Sequence, residues 1–259
     1  MVAPSLVAAD TKLRERVRLG NGSSYFVVLM LMPLSELVLA YLIYGANRPD
    51  LASYAAVGLT AAVLAYNSVF FLGVVIERER IAGTLTFLLQ TPVPRLVWIT
   101  GYLLAGFAEA ALIGAVAITF NITVLDIRLD PGYPALAMTV LLYLLAAWGF
   151  GAALSALAVL VKKTASLANL IFPVITLLGG FYYPLTALPA VLRVPAHLLP
   201  FGAATEAMSL AALRAPSVAE MLPELVPLAT HAVAWCAAGL LSLRWVEHLI
   251  RNKGDVDLY

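Results

Sequence analysis

Apolar residues in this chain come in long runs rather than in alternation. Six runs stand out: about Tyr25 to Tyr44, Leu51 to Ile76, Leu96 to Leu125, Pro134 to Val161, Ala165 to Tyr183 and Leu228 to Val246. Runs of about 18 or more apolar residues read as membrane-spanning helices. The pattern therefore predicts an all-α integral membrane protein. It has six transmembrane helices in one transmembrane domain over residues 1–259.

Three stretches break the pattern. Residues 5–19 repeat Leu6, Leu13 and Val17 among Lys12, Arg14, Arg16 and Arg18, the pattern of an amphipathic helix lying on a membrane surface. "NGSS" (Asn21 to Ser24) then turns the chain, and Ser23 or Ser24 can cap the first span. Residues 77–92 form a short charged and amphipathic helix between spans two and three. Residues 184–227 are mostly apolar but broken by Pro184, Pro189, Pro195 and Pro200. No piece of this last stretch reaches spanning length, so it predicts short helices that dip into the outer leaflet and return. Irregular backbone at that depth must be buried in protein or line a cavity.

Composition supports the membrane assignment. The chain is 62% hydrophobic and 12% charged, where a soluble domain carries about 25% charged residues. Mean hydropathy is +0.93. A net charge of +1 says nothing about nucleic acid, and no nucleic-acid partner is expected of this membrane chain, but the placement of the charges is informative. With six spans both termini share a side. That side holds Lys12, Arg14, Arg16, Arg18, Arg78, Arg80, Arg95, Lys162, Lys163, Arg244, Arg251 and Lys253, twelve of the sixteen basic residues. Positive charge favours the cytoplasmic side, which places both termini and residues 77–92 in the cytoplasm. The N-terminus predicts no cleaved leader. The lone Cys236 excludes an intramolecular disulfide.

Chemistry is conspicuous by its absence. Walker A requires G-x-x-x-x-G-K-[ST], and the one Lys-Thr pair, Lys163-Thr164, lacks both glycines. "GFGAAL" (Gly149 to Leu154) lies inside a span. There Gly151, Ala152, Ser155 and Ala156 read as small residues that let helices approach. His197, His231 and His248 are dispersed, which predicts no metal site. "NIT" at Asn121 fits a glycosylation pattern that is frequent by chance. No nucleophile has a base beside it, so no catalytic centre is expected.

In "ERERIAGTLTFLLQTPVPR" (77–95), Ile81, Leu85, Leu88 and Leu89 share one helix face. Glu77 and Glu79 would occupy the first turn, where the helix dipole favours acids. Thr91-Pro92 and Pro94 stop the helix. Gly83 in mid-helix costs about 1 kcal/mol against alanine and suits a surface approaching closely. On these grounds the segment is either an interfacial connector or a docking element for a cytoplasmic partner.

The same residues resemble the signature of the ABC type-2 exporter permeases: Glu77, Arg78 and Glu79, then Gly83-Thr84-Leu85, Leu88-Leu89, Thr91-Pro92-Val93 and Arg95. One departure is Thr86, where the family usually carries Glu soon after Gly-Thr-Leu. "GGFYYPLTALPAVLRVPAHLLPFGAATEAM" (179–208) is similar to the family's re-entrant segment before the last span. The resemblance implies a permease that pairs with a second permease subunit and two copies of a cytoplasmic ABC ATPase. ATP and Mg would be bound by the ATPase and no cofactor by this chain. Residues 77–92 would be the coupling helix seated in the ATPase. Spans one, two and five would form the central interface, in a cell (inner) membrane.

Glu36 and Glu109 lie near the middle of spans one and three, where a charge costs about 2.5–3.5 kcal/mol on insertion scales. Either they line the pathway, or they are carboxyls bridging helices through Asn67, Tyr66 or Asn169. Phe181, Tyr182 and Tyr183 at the outer end of span five read as interfacial anchors or as an outer gate. The expected function is transport of a lipid-like, glycolipid or amphipathic drug-like substrate. The competing readings are a secondary carrier coupled to protons or sodium through Glu36 and Glu109, and a scaffold without transport activity.

Overall fold

A computed structural model describes residues 34–35, 37–39, 41–42, 48–81, 95–161 and 164–253. The predicted interfacial helix (5–19), Glu36, and Gly83 to Pro92 of the coupling segment lie outside the described residues. Everything with regular structure among the described residues is helical.

Among the described residues, seven α-helices have defined bounds. They are α1 (Pro49–Ile81), α2 (Arg95–Thr123), α3 (Tyr133–Val161), α4 (Thr164–Leu178), α5 (Ala190–Leu198), α6 (Gly202–Leu213) and α7 (Leu222–Lys253). A 3-10 turn, Leu185–Ala187, precedes α5. Among the described residues, three stretches are long and apolar enough to cross a bilayer: Leu104–Thr123, Tyr133–Leu157 and Leu222–Val246. A shorter apolar stretch, Leu51–Tyr66, lies in α1.

Helix starts follow local chemistry. Pro49 opens α1, where its missing N–H costs nothing. The final helix begins at Leu222, six residues before the expected start near Leu228. The turn that leads into it, at residues 218–221, is closed by reciprocal contacts of capping-box type between Ser217 and Glu220. The Ser217 N–H and hydroxyl donate to Glu220 Oε2 at 2.8 and 3.0 Å, and the Glu220 N–H donates back to Ser217 Oγ at 3.3 Å. Pro223 and Pro227 fall within the first two turns of α7, where few amides have intrahelical acceptors to lose.

Helix ends differ from expectation in two places. Helix α4 stops at Leu178, five residues before Tyr183, because Gly179-Gly180 follow. Gly180 has φ +65, the left-handed conformation that ends helices. Helix α1 continues through Glu77 to Ile81, with no proline or glycine to interrupt it. Glu77 and Glu79 thus continue the helix that opens at Pro49 and are not in the first turn of a separate helix.

Packing is closest between α3 and α7. A Cβ on Gly149 would run into the backbone of Trp235 and Cys236, and one on Gly239 into the carbonyl of Gly149. Ala152 lies in the same seam and is fully buried. The Cys236 thiol donates to Leu145 O at 3.2 Å. Small residues at a membrane helix crossing let backbones meet, which matches the expectation for the 149–156 stretch. Tyr143 ties α3 to α1 by donating to Ala61 O at 2.7 Å.

Hydroxyls inside the helices mostly satisfy themselves. Thr60, Thr119, Thr123, Thr139, Ser155, Thr205 and Ser242 each donate to the carbonyl four residues earlier. Such back-bonding suits helices facing hydrocarbon, where an unmet polar group is costly.

Candidate functional site

The most organised feature is the segment from Gly179 to Leu213. After α4 the chain turns and descends as α5, bends at Leu199 to Phe201, and returns as α6. Its depth can be read from its neighbours. Leu198 O accepts the Trp235 indole N–H at 3.3 Å, and Trp235 lies thirteen residues into α7, about 20 Å along it. The Phe201 ring meets Phe150 at 5.3 Å, and Phe150 lies seventeen residues into α3, about 25 Å along it. Helix α6 then climbs back. Its carbonyls at Ala212 and Ala211 accept the N–H groups of Asp130 and Gly132, just before α3 begins. The pair is a hairpin inserted deep among the longer helices, with Phe201 at its tip.

An aromatic cluster seats that tip. Phe201 is fully buried and stands edge-on to Tyr143, Phe150 and Phe181, with ring centroids 5.3 to 6.4 Å apart. Phe150 in turn meets Trp235 at 4.9 Å. Pro200 stops α5, and Gly202 lets α6 start against the Leu185 side chain, where a Cβ would lie 2.8 Å from it.

The elbow above the hairpin, Gly179 to Leu188, is held from three sides. Tyr54 donates to Gly180 O at 3.0 Å. The carbonyl of Phe181 presses on Gly58, where any Cβ would collide with it. Glu206 on α6, half-buried, accepts the Leu185 N–H at 2.8 Å. Arg193 joins from below, donating to Leu188 O at 2.9 Å and Thr186 O at 2.7 Å.

The sequence-predicted residues sort unevenly onto this frame. Phe181 is 1% exposed and packs inside the subunit. Tyr182 and Tyr183 are half-buried, and Tyr183 donates to Leu177 O at 2.7 Å. Glu109 is buried on α2. Asn67, Glu77, Arg78 and Glu79 lie in α1, and Arg95 lies in α2. Asn121 is 2% exposed, with Nδ2 donating to Ala56 O and Thr60 Oγ1 at 3.4 Å. It is a helix-packing residue, and its burial excludes glycosylation of the folded chain. Sequence reading passed over Glu206, although it is the only acid between Leu185 and Ser217. A lone acid in an apolar stretch was the available signal.

The described residues hold no cluster of three metal-ligating side chains. A shallow groove of about 350 Å³ on the C-terminal half of α2 is lined by Ala115, Val116, Thr119, Phe120 and Thr123, which offer no acid or base. The arrangement houses an apolar segment among longer apolar helices.

Long apolar helices with an inserted hairpin describe a helical membrane protein. The chain belongs to the ABC-2 type transporter family, whose model matches residues 13–213. It is therefore the membrane permease part of an ABC transporter and not itself catalytic, and its family works with an ABC ATPase partner. No curated protein matches the chain significantly.

Proposed function

We propose that the chain is the path-forming subunit of an ATP-driven exporter for an amphipathic substrate: a lipid, a glycolipid or a drug-like molecule. Two permease subunits pair, each with one cytoplasmic ATPase that binds ATP and Mg. Residues 77–92 form the coupling element, with Gly83 at the closest approach. The membrane domain has six spans with cytoplasmic termini, in the cell (inner) membrane.

The observation that carries this reading is the α5–α6 hairpin inserted to the level of Trp235 and Phe150. Apolar, hinged at Gly180 and Pro200, and braced by a few polar contacts, it is suited to shift when the surrounding helices move. The walls favour an amphiphile over a sugar or an amino acid. The bias of basic residues supports the orientation.

The buried Glu109 favours the competing carrier reading, in which protons or sodium drive transport through Glu36 and Glu109. One experiment separates the two. Proteoliposomes holding this chain and its ATPase are loaded with a fluorescent amphiphile, and its movement is followed with ATP or with an imposed ion gradient. Movement that needs ATP and survives Glu109→Gln supports the exporter. Movement driven by the gradient alone, and lost in Glu109→Gln, supports the carrier.

A further inference from the structure

Helix α5 packs by one face only. Leu192, Ala196 and the adjoining Leu199 rest against Leu178, Leu185 and Leu188. On the other side Val191, Val194 and Leu198 are 83%, 65% and 66% exposed. Their spacing of three and four residues makes one apolar stripe. Arg193 and His197 are exposed beside it, one turn apart.

Arg193 is not a loose surface side chain. Its Nε and Nη2 are both committed to carbonyls of the elbow, which fixes the guanidinium near the outer end of the stripe. Three of its five N–H donors remain, and no carboxylate pairs with it among the described residues. The inner end of the stripe, Leu198, lies at the depth of Trp235. The face therefore presents a fixed cation outward and an apolar track running inward.

We propose that this face is an outer-leaflet binding site for an anionic phospholipid. The phosphate takes the free edge of Arg193, and an acyl chain lies along Val191, Val194 and Leu198. Charge decides against a second copy of the chain as the occupant, because a self-contact centred on α5 would set Arg193 against Arg193. The proposal rests on the placement of the hairpin in the membrane and not on coupling to ATP. Loss of ATP-driven transport would leave it standing.

The test uses the full permease–ATPase complex in nanodiscs containing a photoactivatable phosphatidylglycerol, and in parallel a photoactivatable phosphatidylcholine. Adducts are mapped by peptide mass spectrometry. Residues 190–198 should label about fivefold more with the anionic probe, as expected for one basic residue at a membrane surface. Arg193→Gln should erase that preference, Arg193→Lys should keep it, and Val194→Ser should lower labelling by both probes. If Arg193→Gln fails to fold, Arg193→Lys and Val194→Ser still decide. Equal labelling by the two probes overturns the proposal, as does a preference unchanged in Arg193→Gln. Crosslinks joining α5 of two permease copies in place of lipid adducts overturn it too.

Discussion

Single side chains carry the polar bracing of the hairpin. Leu185 is 2% exposed, so removing the Glu206 carboxylate leaves its N–H buried without an acceptor, at a cost of about 1–3 kcal/mol. Glu206→Ala should lower the melting temperature of the purified protein, while Glu206→Gln, which keeps an acceptor oxygen, should recover most of it. Equal losses in the two variants would show that the hydrogen bond contributes little. Glu220 gives a second test. The Ser217 backbone N–H, and after it the Ser217 hydroxyl, hold this exposed carboxyl below its usual pKa. A lowered folded-state pKa means that these contacts stabilise the turn before α7 above the ordinary carboxylate range. That contribution is lost as pH falls through the lowered value. Hydrogen exchange at Ser217 and Glu220 should therefore quicken at acid pH beyond the intrinsic trend, and Glu220→Gln should already show the quickened state at neutral pH. Such contacts join residues distant in sequence, Glu206 to Leu185 or Tyr54 to Gly180, and no periodicity announces them.

Elements were legible where hydrophobic runs are long and uninterrupted. Helices α2 and α3 begin and end within two residues of expectation, because Pro92 and Pro94 precede one and the polar Asp126–Gly132 stretch separates the two. Errors fell where a local signal outweighs hydropathy. Gly180 ended α4 early, α7 began early behind the turn closed by Ser217 and Glu220, and the lack of any breaker carried α1 past Ile76. The small-residue stretch near Gly149 was visible, but not that its partner is Gly239 on α7. That seam makes a sharp prediction. Gly149→Leu puts a side chain where the backbone of Trp235 and Cys236 lies, and overpacking of this kind costs about 1–3 kcal/mol or more. The variant should lose folded protein on size-exclusion chromatography, whereas Ala153→Leu on the same helix, at a half-buried position, should lose far less. Phe201→Ala tests the hairpin as an element. Emptying a fully buried ring site costs about 3–5 kcal/mol, and exchange should rise across α5 and α6 before it rises in α3.

At the scale of the molecule, an apolar hairpin is held inside a frame of long helices by an aromatic tip and a handful of hydrogen bonds. The frame supplies the apolar length that can cross a membrane, and the hairpin packs inside it. The sequence shows no G-x-x-x-x-G-K-[ST] phosphate-binding loop. Its family pairs with an ABC ATPase. In the sequence, residues 77–92 stand out by glycine, threonine and prolines between two apolar runs, and of these Glu77 to Ile81 continue α1. The central claim is that this segment transmits ATP hydrolysis to the membrane helices, and Gly83→Trp tests it most directly. The measurement is ATP turnover and ATPase co-purification of the reconstituted complex, wild type against Gly83→Trp, at matched levels of folded permease. The account predicts that the variant folds and inserts normally but loses ATPase association or substrate-stimulated turnover. A Gly83→Trp complex that keeps both would contradict it.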